Sequence, residues 1–96
     1  MLHLINKSPF ESNSLEDCLR YASKGSAILL YEDGIYAAMA GTKLSDEMAG
    51  VAKDHKVYVL KEDLAMRGVD KLIAGVNEVD YDGFVGLVEE NKTASW

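Results

Sequence analysis

A chain of 96 residues, 48% of them hydrophobic, has apolar side chains enough for one core and too few for two, so one domain spanning residues 1–96 is expected. Lys and Arg number 10 against 16 Asp and Glu, a formal charge of -6 with no basic block; this excludes a surface built to track nucleic-acid phosphates and reads as an ordinary solvated exterior. A single cysteine excludes an internal disulfide, the opening MLHLINKSPF carries no secretion signal, and no apolar run approaches the roughly 20 residues that cross a bilayer, so a cytoplasmic chain without a membrane anchor is expected.

Leu2, Leu4 and Ile5 form a short apolar strand that Ser8-Pro9 ends, because proline lacks an amide hydrogen and holds its predecessor extended. In ESNSLED, Asn13 or Ser14 is placed to cap a helix, with Glu16 or Asp17 closing a capping box; the helix runs to about Lys24 and stops at Gly25. Ala27 to Tyr31 is continuously apolar between Gly25 and Glu32-Asp33-Gly34, the pattern of a strand buried on both faces. The alanine-rich run from Ile35 to Met39 starts a short helix that Gly41 breaks, and a weaker helical stretch covers Leu44 to Lys53.

Val57 to Leu60 combines β-branched and aromatic residues after the charged DHK turn and reads as the third strand. Glu62 to Arg67 follows as a helix with acids first and a base near its end, closed by Gly68. Val76 to Val79 is a short fourth strand, Tyr81 to Glu90 a last helix with Phe84, Val85, Leu87 and Val88 on one side, and Thr93 to Trp96 an edge strand. Strands alternating with helices across short turns predict an α/β chain: a flavodoxin-like three-layer fold with a mainly parallel sheet of four to five strands and right-handed crossovers.

Cys18 is the one residue able to hold a sulfur atom as a thiolate or persulfide. Leu15, Cys18, Leu19 and Ala22 follow the i, i+3, i+4, i+7 spacing of an apolar helix stripe, which by itself favours a buried thiol acting as a small hydrophobe. Glu16 and Asp17 oppose a thiolate there, while Arg20 and Lys24 favour one. A persulfide carrier works with modest activation, because exchange also depends on intrinsic nucleophilicity and access.

His3, between Leu2 and Leu4, reads as a satisfied structural histidine, and His55, in a charged turn, as solvated. Two separated histidines and one cysteine lack zinc-site spacing, so no metal is expected. Asp33-Gly34 follows the second strand, on the rim where open α/β sheets place ligands. With no G-x-G-x-x-G or phosphate loop around it, the pair reads as a cap and a turn, and no cofactor is expected. The Glu62-Asp63 pair reads as solvated or capping rather than as an acid–base dyad.

Four segments in order, LHLINKSPFE, LLYEDGIYAAMAGT, VYVLKEDLAMRG and VDYDGFVGLVEE ahead of Trp96, together resemble the DsrH/TusB family over almost the whole chain. Each is unspecific alone; their common register carries the likeness. The resemblance implies a DsrEFH-like subunit that joins two homologous partners, DsrE/TusD-like and DsrF/TusC-like, in a heterohexamer. Such complexes take persulfide sulfur from an upstream carrier and pass it to a DsrC/TusE-like acceptor.

The family serves two pathways, dissimilatory sulfur oxidation and thiolation of the wobble uridine of certain transfer RNAs. The DsrH-like branch is marked by a cysteine in helix one, which Cys18 matches within NSLEDCLRYASKG, so sulfur oxidation is the expected pathway and transfer-RNA thiolation the alternative. In the DsrE/TusD sister subunits the principal reactive cysteine lies at the turn after the third strand, and the matching Leu60 to Asp63 hold none. The resemblance thus leaves two roles: a persulfide acceptor at Cys18, or an assembly subunit whose Cys18 is structural while a partner carries the main reactive thiol.

Overall fold

The computed structural model describes residues 1–96. Strands β1 (Leu2–Ile5), β2 (Ala27–Leu30), β3 (Lys56–Leu60), β4 (Val76–Val79) and β5 (Thr93–Ser95) form one sheet in the order β4-β3-β2-β1-β5. Every pairing is parallel, with His3 opposite Ile28, Ile28 opposite Val57 and Val57 opposite Val76. Helices α1 (Ser14–Tyr21), α2 (Ser45–Asp54), α3 (Lys61–Met66) and α4 (Tyr81–Glu90) connect them, with a 3-10 helix at Glu32–Ala38 ahead of α2. The α/β fold expected from the alternation of elements forms, with five strands and a sheet that is wholly rather than mainly parallel. No helix is long and apolar enough to cross a membrane.

Strand order decides which face each helix covers. From β1 to β4 the chain steps across the sheet in one direction, and right-handed crossovers put α1, the 3-10 helix with α2, and α3 on one face. The step from β4 to β5 travels back across the whole sheet, so the same handedness puts α4 on the other. The main core lies on the first face, where Ile5, Ile28, Leu30, Val57 and Val59 pack with Leu15, Cys18, Met48, Leu64 and Ile73. On the second face Leu2, Leu29 and Leu60 are buried, and Phe84 of α4 meets the ring of Tyr31 edge-on at 5.5 Å.

Central strand β2 is sealed on both faces, as its continuous apolar run predicts: Ile28, Leu29 and Leu30 are each 0% exposed. Full burial of such side chains stabilises by about 1.5–3 kcal/mol apiece, before the entropy of ordering them is subtracted. The sheet gains most where strands have neighbours on both sides.

Several local expectations are corrected. The capping box at α1 does not form: Asn13 makes no side-chain cap bond, and the Ser14 amide donates instead to Ser12 Oγ at 3.1 Å. A serine two residues upstream outcompetes the longer reach of Glu16 or Asp17. Helix α1 ends at Tyr21 rather than near Lys24, because the Gly25 amide is drawn to the Asp54 carbonyl at 2.8 Å, a bond to the end of α2 that no local pattern encodes. The helix expected over Ile35 to Met39 is a 3-10 segment that starts earlier, at Glu32. Of Phe84, Val85, Leu87 and Val88, expected on one side of α4, Val85 is exposed and none is buried, since this helix has no neighbouring helix on its side of the sheet.

Candidate functional site

Cys18 lies in the middle of α1 on the side that meets the sheet. Its neighbours on the stripe, Leu15 and Leu19, pack into or against the same cluster as Ile5, Ile28 and Met48. The side chain is 0% exposed and unpaired with any other cysteine. Loss of solvation disfavours the charged form and pushes its pKa up to about 11. The glutamate and aspartate beside it point elsewhere, with Arg20 bonded to Glu16 at 2.8 Å. As folded in this chain, the thiol is neutral and out of contact with water.

A cleft of about 230 Å³ opens next to it between the β1–α1 connection and α2, with Leu15, Leu19, Leu44 and Met48 as its apolar wall and Glu16 and Glu47 among its polar lining. Two walls of this cleft, Leu15 and Met48, are also members of the core cluster that encloses Cys18.

The second candidate place is the rim at the carboxyl ends of β2 and β3. Glu32, the second residue past β2, adopts φ +48, a left-handed conformation that costs a non-glycine residue about 1–2 kcal/mol. Its amide donates to Asp63 Oδ2 at 2.6 Å. Arg67 then ties both turns together, donating through Nε to Asp33 Oδ1 at 2.9 Å and through a terminal nitrogen to Asp63 Oδ1 at 3.3 Å. The Asp33 hydrogen bond, and the charges of both carboxylates, hold the guanidinium more firmly protonated than usual.

Gly34 sits between these groups because a Cβ there would enter the Ile5 carbonyl oxygen. The Asp33-Gly34 pair thus works as a carboxylate anchor and a close-contact glycine inside the 3-10 helix, rather than as a cap and turn. Glu62 accepts the Tyr81 amide at 3.1 Å, and Asp63 is committed to Glu32 and Arg67. This rim is a clamp between the 3-10 helix and α3, with one arginine bridging both aspartates.

His3 is 1% exposed and satisfied: the indole Nε1–H of Trp96 donates to its Nδ1 at 3.1 Å. His55 is corrected from solvated to half-buried, its Nδ1 lying 3.2 Å from the Ser26 carbonyl. The structure does not bring Cys18 together with Asp33, Asp63 or either histidine in any hydrogen bond. Sequence reasoning missed Arg67 as the clamp. Its i+4 offset from Asp63 was a usable signal for one arm, whereas the Asp33 arm spans 34 positions and had none.

The family model described as DsrH like protein matches residues 7–94. Among named relatives, Protein TusB of Pectobacterium parmentieri is 35% identical over the full length of both chains, and Protein TusB of Shigella flexneri is 33% identical, again end to end. Among solved structures, the ychN protein from E. coli superposes with a TM-score of 0.82 at 19% identity, covering 99% of this chain and 97% of that one. The protein MTH1491 from Methanobacterium thermoautotrophicum superposes with a TM-score of 0.75 at 15% identity, covering 99% and 96%. These two share the fold. With a family model spanning nearly the whole chain and relatives aligned from end to end, the chain belongs to the DsrH/TusB family.

Proposed function

We propose that this chain is an assembly subunit of a cytoplasmic sulfur-relay complex of the TusB kind, serving thiolation of the transfer-RNA wobble uridine, with the reactive thiol carried by a partner. The observation that carries the reading is the state of Cys18: its one thiol is sealed in the core with its pKa pushed up to about 11, whereas persulfide exchange starts from a reachable thiolate. The end-to-end likeness to proteins named TusB supports the pathway. DsrE/TusD-like and DsrF/TusC-like subunits are the partners this reading requires, and a DsrC/TusE-like protein the acceptor.

A second reading makes Cys18 an auxiliary persulfide acceptor in a DsrH-type complex for sulfur oxidation. It is favoured by the cleft whose walls Leu15 and Met48 also enclose Cys18, a route by which a docked donor could reach the sulfur once α1 moves.

Intact-mass analysis after exposure to a persulfide donor separates the two, comparing wild type with Cys18→Ser, alone and co-expressed with the partner subunits. The assembly reading expects sulfur on a partner and none on this chain. Reductant-reversible addition of one sulfur atom to wild type, absent from Cys18→Ser, would overturn it in favour of the second reading. The pathway is read by restoring 2-thiouridine in a strain lacking its own TusB.

A further inference from the structure

Helix α4 leaves an apolar shoulder in water. Tyr81, Val85 and Val88, spaced i, i+4 and i+7, fall along one side of it; Tyr81 is 63% and Val85 37% exposed. Beneath them Phe84 stacks on Tyr81 and meets Tyr31 edge-on, so the exposed rings rest on a fixed aromatic base. The opposite face of the sheet carries three helices and the main core, while this one carries α4 alone, with no residue of it buried. A hydrophobic shoulder on a rigid support is the usual form of the centre of an interface.

The rim has a definite sign. Asp80, Asp82, Glu89 and Glu90 lie on α4 or at its cap, and Glu62 of α3 accepts the amide of its first residue, all five exposed, against Lys61 and Lys92. Five carboxylates against two ammonium groups place half of the chain's net charge of -6 around this one helix. A two-fold contact between copies would set the same carboxylates face to face, and like charges across an interface are costly. The charge selects a different partner.

We propose that the α4 face is a docking surface for a folded protein partner presenting an apolar centre ringed by Lys and Arg. Resting on the relay reading above, this partner is one of the two sister subunits. Acidic groups at the rim steer and orient such a partner, and the Tyr81–Val85 shoulder supplies the buried area.

The test is co-expression of the tagged chain with both sister subunits, followed by size-exclusion chromatography at low and high salt. Wild type is expected to co-elute with them, less completely in 1 M than in about 0.1 M salt as screening shortens the reach of the rim. Val85→Glu, and the double reversal Asp82→Lys with Glu89→Lys, are expected to lower the co-eluting fraction tenfold or more while melting like wild type. Met66→Glu, at a 79% exposed site of α3 on the opposite face, is expected to leave it unchanged. Undiminished co-elution of Val85→Glu overturns the docking proposal while the relay reading stands, as does equal loss in Met66→Glu. A wild-type homodimer that Val85→Glu dissociates also overturns it, making a second copy the occupant. Failure of wild type to bind either sister subunit sinks the relay reading and this proposal with it.

Discussion

The indole Nε1–H of Trp96 donates to Nδ1 of His3 at 3.1 Å, closing the edge strand β5 onto β1 across 93 positions of sequence. Because an indole can only donate, His3 must hold its proton on Nε2 and present a bare Nδ1. Desolvation, the Met1 ammonium and His55 all lower the His3 pKa, in that order. Protonation would place two donors against each other, so the folded state resists it. Below the ordinary value of 6.5 the unfolded chain therefore binds a proton that the folded chain refuses, and stability is lost as pH falls through that value. Urea midpoints between pH 8 and pH 5 are expected to drop in wild type and to flatten in His3→Phe. Trp96→Phe, which strands a buried acceptor, is expected to cost about 1–3 kcal/mol at pH 7.5.

Cys18 is expected to resist modification while the chain is folded. At pH 8 a thiol with a pKa near 11 is about a hundredfold less ionised than one at 9.0, the ordinary value, and its burial adds a steric block. The rate of reaction with a disulfide reagent, compared in buffer and in urea, should differ by more than that factor. A native rate equal to the unfolded one would mean that α1 opens freely. Cys18→Ser places a hydroxyl among Leu15, Ile28 and Met48 and is expected to destabilise by about 1–3 kcal/mol, more than Cys18→Ala.

The Arg67 clamp is a stability element. Removing the Asp63 carboxylate frees the Glu32 amide from its 2.6 Å bond and Arg67 from one of its two partners. Asp63→Ala is expected to cost about 1–3 kcal/mol and to raise hydrogen exchange at the Glu32 amide selectively. Arg67→Lys should recover little of an Arg67→Gln loss, because an ammonium cannot reproduce the guanidinium fork that reaches Asp33 and Asp63 together.

Two glycines separate crowding from backbone strain. Gly34→Ala drives a methyl into the Ile5 carbonyl, where backbone on both sides prevents relief, and is expected to cost about 3 kcal/mol or more. Gly25→Ala meets open space but must hold φ +91, so a loss of about 1 kcal/mol is expected. Denaturant midpoints of the two variants should rank in that order, and the reverse order would show that the contact between β1 and the 3-10 helix can spread.

Helix α1 and strand β2 mark the boundary of what local pattern reveals. The stripe at Leu15, Cys18 and Leu19 predicts the buried side of α1 because a helix repeats every 3.6 residues whatever it packs on. The same pattern overran the end of α1, where a bond from Gly25 to Asp54 competes with the helix's own carbonyls. At the candidate site, Cys18 was legible from its type and spacing, but its environment was not: pKa depends on every group that displaces water around it. Arg67 was legible only as a helix-terminal base.

The amino-acid sequence by itself determined the alternation of strands and helices, the side of α1 that holds Cys18, and the family to which the chain belongs. Those properties rest on periodicity, local steric preference and motif order, all carried by residues near one another along the chain. Tertiary structure alone decided that α4 stands unaccompanied on its face, that Trp96 satisfies His3, and that one arginine joins two turns 34 positions apart. Each depends on strand order in the sheet, which the run of hydrophobic residues leaves open because any central strand would be equally apolar.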